Sequence, residues 1–262
     1  MTRRFLPATM ILLFAMLPGP PARADTTIRL NGSRDVANTV IQVKGGMVRL
    51  APPNLPAYVL YDRNRNLAIY VDATRKTYTE IDQQSLDNYA RMVSTLRGQL
   101  QLLPPGQRAM LEQRLGDLTG VPTGSLPDLG NLHTVDRGGR TIAGFHCQLH
   151  LVLNDKQAVG DVCLSTAVEA GISRPDFTTL MAMMDFLHHM AGTAQELAGD
   201  LTGSSRLLLS GLQGIPVAAR DYQSRRQFTV AGVSRQPVPA SQFNDYRDYR
   251  KQALMEALAQ RR

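Results

Sequence analysis

Apolar and polar residues alternate with period two through the first third of the chain, and the period changes at residue 82. Ile28 and Leu30 open a first strand, and Ile41 with Val43 mark a second. Gly45-Gly46 then turns the chain into Met47–Leu50, a hairpin signal, because such tight turns need residues that tolerate positive φ. Pro52, Pro53 and Pro56 interrupt pairing, and Tyr58–Asp62, Leu67–Asp72 and Lys76–Ile81 read as three further strands. In the middle one Leu67, Ile69 and Val71 share a face, as a half-buried strand requires.

Leu86, Tyr89, Met92, Val93, Leu96 and Leu100 then recur at helical spacing. Asp82 stands where an N-cap is wanted, and Pro104-Pro105 ends the run. Met110, Leu111, Leu115 and Leu118 predict a second amphipathic helix, followed by a Gly/Pro-rich connection over 120–130. Strands return at His133. From Ala143 to Leu153 the odd-numbered residues Phe145, Cys147, Leu149 and Leu151 take one face, and His146, Gln148 and His150 take the other. Asn154-Asp155-Lys156 supplies a turn into Val159–Leu164. Ser173 and Pro175 start a helix carrying Phe177, Leu180, Met181, Met184, Leu187 and Met190. Val217–Tyr222 and Gln227–Val233 are the last strands, and a terminal helix is expected from about Ser241.

Strands, inserted helices, then strands again predict an α+β fold. Its sheet is curved and mainly antiparallel, an open half-barrel with helices covering one face. Strict strand–helix alternation is missing, which argues against doubly wound and (β/α)8 architectures. No solenoid or propeller repeat occurs.

The first 24 residues stand apart from this pattern. Arg3 and Arg4 precede the short apolar run Met10–Leu17, and Ala22-Arg23-Ala24 forms a small-x-small cleavage site before Asp25. The run is far below the roughly 20 residues that span a bilayer. It predicts a cleaved secretory signal, with cleavage between Ala24 and Asp25. No cysteine follows the cleavage site to carry a lipid. A single domain is then expected over 25–243, and a basic amphipathic helix over 244–262. No transmembrane span is expected in the mature chain, which places the product in the periplasm.

Charge matters less than it first suggests. Of the 29 Lys+Arg set against 22 Asp+Glu, three (Arg3, Arg4, Arg23) lie in the leader, so its removal lowers the formal net charge from +7 to +4. A nucleic-acid partner is not expected from so mild a bias without a dense basic run.

Few residues suggest chemistry. Cys147 and Cys163 fall opposite each other if the hairpin folds about Asp155, and a secreted context favours their oxidation. Closing so short a loop restricts the unfolded chain by about 3 kcal/mol. His146 and His150 would lie some 13 Å apart on a strand, too far to share a metal ion. His188 and His189 diverge on a helix. The methionines of the 173–190 helix fit either a core filler or an adaptable oily surface. Phe145, Phe177, Met181, Met184 and Leu187 are the candidate lining of a hydrophobic groove. G-x-S-x-G, H-E-x-x-H, P-loop and dinucleotide motifs are all missing. No catalytic residue, cofactor or metal is assigned.

Several segments taken together resemble a secreted bacterial family classed as a domain of unknown function. They are Tyr58–Arg63, Lys76–Asp82, Pro104–Met110, Ala143–Cys147 with Gly160–Cys163, and Pro237–Phe243. That family is similar in presumed fold to the outer-membrane lipoprotein carrier and receptor proteins, LolA and LolB. The resemblance implies an open half-barrel, covered by helices, that holds acyl chains. No motif transfers individual carrier residues, and helices this long between strands are a departure. The partners implied are a lipid or lipoprotein ligand; an envelope protein is the alternative, and a hydrolase built from dispersed residues comes third.

Overall fold

A computed structural model describes residues 25–33, 36–53, 55–107, 110, 132–193 and 213–259. The expected signal segment, the helix continuing past Met110 and the 120–130 connection lie outside these residues.

Twelve strands form one open sheet. β1 (Thr26–Gly32), β2 (Val40–Lys44), β3 (Met47–Ala51), β4 (Ala57–Asp62), β5 (Leu67–Asp72) and β6 (Thr77–Ile81) run as an antiparallel meander. β7 (Leu132–Ile142), β8 (Phe145–Asn154), β9 (Gln157–Ser165), β10 (Ile215–Asp221) and β11 (Gln227–Ser234) form a second meander. β11 then pairs antiparallel with β1, joining the halves. The two-residue β12 (Arg250–Lys251) adds parallel to β6, so β12 and β7 are the two edges. The described helices are α1 (Gln83–Gln101), α2 (Arg174–Thr193) and α3 (Leu254–Ala259).

Local chemistry accounts for the boundaries. Gly45 and Gly46 both take positive φ, at 58° and 87°, in the β2–β3 turn. At the start of α1 the Asp82 carboxylate accepts the Ser85 backbone N–H at 2.8 Å, and the Ser85 hydroxyl accepts the Asp82 N–H at 2.9 Å, a reciprocal cap. Ser173 caps α2 through the N–H of Asp176.

One row of cross-strand neighbours runs Thr26, Val43, Val48, Tyr61, Ala68 and Ile81. All six are buried, and the apolar five share a hydrophobic cluster with Leu86 and Tyr89 of α1 and Leu180, Met183, Phe186 and Met190 of α2. Each such aliphatic side chain withdrawn from water is worth about 1.5–3 kcal/mol. The opposite face of β4 and β5 buries Tyr58, Leu60, Leu67, Ile69 and Val71 against Val238, Phe243 and Tyr246.

That second layer corrects the expected C-terminal helix. Residues from Ser241 onward form a short 3-10 turn at Ala240–Phe243, further turns, β12, and only then the six-residue α3. Pro237 and Pro239 fix an extended entry, and the aromatic residues at 243 and 246 bury against the sheet in place of a helix partner. The strap is tied down by polar contacts. The Tyr58 hydroxyl donates to Asp245, while the Arg49 guanidinium lies 4.2 Å from the centre of the Tyr58 ring. Burial, and then donation to Asp245, push the Tyr58 phenol well above its ordinary pKa. At the sheet edge Glu80 accepts Arg65 at 2.8 Å and Lys251 at 2.5 Å.

Candidate functional site in the curl of the sheet

Ladder regularity differs between the two halves. The pairings from β1 to β6 run without a break, whereas β1–β11, β10–β9, β8–β9 and β7–β8 each contain a register shift. Bulges increase local twist and bend a strand, so four of them concentrate curvature in the second half.

The outcome is a shared cleft. β7 and β1 are five steps apart in the sheet, about 24 Å if it were flat at roughly 4.8 Å per strand. Ile142 of β7 nevertheless lines the same cleft, about 500 Å³, as Asn31 and Gly32 of β1. The sheet curls far enough to bring an edge strand over its own middle, yet it stays open.

The lining is mixed. Ile142, Ala218 and Phe228 are apolar, and Asn31, Thr229 and Gln227 are polar. Ala218 sits opposite Cys163, and both belong to the central cluster or pack on it. One pleat further out on that face, Arg220 lies opposite Asp161. Asp161 accepts the Tyr222 hydroxyl at 2.7 Å. Burial, that hydrogen bond and the Asp161 charge raise the Tyr222 pKa, so the phenol remains a donor at neutral pH.

The disulfide forms at the floor of this half. Cys147 and Cys163 are bonded, with Cα atoms 5.4 Å apart. They are not directly opposite, as the fold about Asp155 predicts. Leu149 faces Cys163, because the turn spans Asp155-Lys156 and a bulge adds a further residue, so the bond runs diagonally across the ladder. The expected strand from Ala143 is present except for its first two residues. Ala143 and Gly144 have φ of 50° and 87° and form the β7–β8 turn, so the expected strand begins at Phe145, two residues later.

Of the expected groove residues, Phe145 sits opposite Ile142 across that turn. Phe145, Phe177, Met181 and Leu187 are half-buried against the central cluster, and Met184 is half-buried as well. The fully buried stripe of α2 is Leu180, Met183, Phe186 and Met190, with Phe186 5.5 Å from the Tyr61 ring. Sequence periodicity thus found the helix, with Leu180 and Met190 of this stripe, but not Met183 and Phe186. Missed altogether were Arg220 and Asp161, which no local motif marks; only strand register brings them together.

A second cleft of about 640 Å³ lies on the other side of the β7–β8 hairpin, lined by Thr141, His146, Gln148, Thr166 and Glu169 among others. His146 Nδ1 lies 3.1 Å from the Thr141 hydroxyl. Glu169 accepts the Thr166 hydroxyl and N–H, which hold its carboxyl below the usual range. That carboxylate is committed to capping a turn, so the cleft offers no assembled acid–base pair. His146 and His150 do lie on a strand, and among the described residues no cluster of three metal-ligating side chains occurs. No described helix is long and apolar enough to cross a membrane.

The architecture therefore defines a class: an open, curled, mainly antiparallel sheet with a cleft lined by apolar, neutral polar and charged residues. No family model matches the chain, and no curated protein matches it. It is similar to a solved structure described as PNGF-II in space group C2, at 7% identity with a TM-score of 0.42. The match covers 90% of this chain and 33% of that one, so the chain spans about a third of that structure's length.

Proposed function

We propose that this is a periplasmic, non-enzymatic protein that binds a lipid, lipoprotein or other amphiphile in the curl of its sheet. The observation that carries the reading is the cleft shared by Ile142 and Asn31. A curled open sheet can admit an elongated ligand from its edge, and a lining both apolar and polar suits a molecule that is oily at one end. In this reading α1 and α2 cover the concave face, and the half-buried Phe177, Met181, Met184 and Leu187 supply adaptable contacts for a chain. The fold then resembles that presumed for the lipoprotein carriers. The disulfide and the short N-terminal apolar run support export through a cleaved signal.

Native mass spectrometry of the exported protein, followed by solvent extraction, tests this. The expected result is a co-purifying lipid or acyl species. A clean apo mass that persists after incubation with envelope lipids overturns the reading.

A second reading is an envelope interaction module without a ligand. It draws on Leu55, Leu102 and Val168, apolar side chains that are 61%, 86% and 88% exposed. A single dominant protein among crosslinks formed in intact cells would favour it.

A further inference from the structure

We propose that the rim of the cleft recognises a zwitterionic headgroup, a phosphate carrying a primary amine, on the amphiphile whose apolar part enters the curl. The inference rests on the ligand-binding reading and specifies the class of ligand.

Arg220 and Asp161 are direct cross-strand partners on β10 and β9 and line the same cleft. Opposite charges placed so in an antiparallel ladder ordinarily pair with each other. Here the carboxylate turns to the Tyr222 hydroxyl, and among the described residues neither Asp161 nor Arg220 joins an ion pair. The Arg220 guanidinium has no hydrogen-bonded partner among them either, although it is exposed and lowers the pKa of the neighbouring Tyr222 by its charge. A cation and an anion are thus held side by side, each with capacity left for a ligand. The guanidinium fork matches two phosphate oxygens. The carboxylate keeps lone pairs for an ammonium beyond the one that accepts Tyr222.

The surroundings extend the match. Gln227, directly opposite Arg220 on β11, and the Asn31–Thr229 pair, level with Ala218, supply neutral polar groups beside the charges. Ile142 and Ala218, on the same face as Arg220 and Asp161, supply apolar lining next to them. A ligand with its phosphate on Arg220 and its amine on Asp161 would find neutral polar groups and apolar side chains in the same cleft. A purely anionic headgroup would satisfy Arg220 but set its charge against Asp161. An uncharged amphiphile would leave both unused.

The test uses the mature chain, stripped of lipid and incubated with vesicles of phosphatidylethanolamine or of phosphatidylglycerol, with uptake read by native mass spectrometry. Uptake of phosphatidylethanolamine is expected to exceed that of phosphatidylglycerol at least about fivefold. Arg220→Gln should cut uptake of both by about that factor, and Arg220→Lys should restore part of it. Asp161→Asn should abolish the preference by raising phosphatidylglycerol uptake. Arg220 is exposed and Asp161 half-buried, and far-UV circular dichroism checks that each variant stays folded. Equal uptake of the two lipids, unchanged in Arg220→Gln, overturns the headgroup inference while leaving lipid binding intact. No uptake of either lipid overturns both.

Discussion

The Thr26 hydroxyl donates to the Asp176 carboxylate over 2.6 Å, joining the first strand to the first turn of α2 across 150 residues. Both side chains are buried. A buried carboxylate that loses a donor bears its desolvation cost without compensation. Thr26→Val keeps the shape and removes the donor. It should lower stability by about 1–3 kcal/mol, read as a shift in the urea midpoint by circular dichroism; the chain has no Trp to report by fluorescence. An unchanged midpoint would show that the Asp176 carboxylate does not depend on this bond.

Asp25, the residue before Thr26, performs a similar task toward the C-terminal strap. One of its carboxylate oxygens accepts both the Lys44 ammonium and the Val238 backbone N–H, each at 2.7 Å. It thereby ties the first described residue to the strap that packs on β4 and β5. Asp25→Ala should cost about 1–3 kcal/mol and speed proteolytic cleavage near 235–240. Destabilisation without faster cleavage there would place the anchor elsewhere.

The Cys147–Cys163 bond closes a loop with a sequence separation of 16. Replacing both by serine should destabilise the chain by about 3 kcal/mol, chiefly by freeing the unfolded state. The comparison with reduced wild-type protein should give nearly the same midpoint. If reduction leaves the wild-type midpoint where it was, the bond contributes no stability.

Glu80 gives a pH signature. Burial alone would raise its pKa, but hydrogen bonds from Lys251 and Arg65 outweigh burial and hold it below the usual carboxylate range. A depressed folded pKa contributes stability above the unfolded value, roughly 4.3, and loses it as pH falls through the folded value. Both cations are more than half exposed, so the contribution is at most about 1 kcal/mol per pair. Glu80→Gln should therefore be less stable than wild type at pH 7 and equal to it near pH 2. A constant difference across that range would assign the effect to packing.

Much of the sheet was legible because large apolar side chains alternate along its strands, even in β5, which is covered on both faces. Leu67, Ile69 and Val71 marked β5, and Gly45-Gly46 marked a turn that needs positive φ twice. The Asp82 cap was readable for the same local reason. What failed is not local. Ala143 continues the apolar alternation of β8 backwards into the turn, so periodicity starts that strand two residues too early. Tyr246 and Tyr249 fit a helical spacing, yet they pack on a strap whose path is set by β4 and β5, far away in sequence. Bulges shift register without leaving a composition signal, and they decide both the diagonal disulfide and the shared cleft. The Arg220–Asp161 rim is a product of register alone.

The most direct test of ligand binding in the curl places a photoreactive phenylalanine analogue at Ile142 in the full-length protein, with irradiation in intact cells. Leu102, which is 86% exposed, serves as the control position. The account predicts a lipid or acyl adduct at position 142, seen as a discrete mass increase on the purified chain, and none at 102. A crosslink from position 142 to another protein, or identical products from both positions, would contradict it.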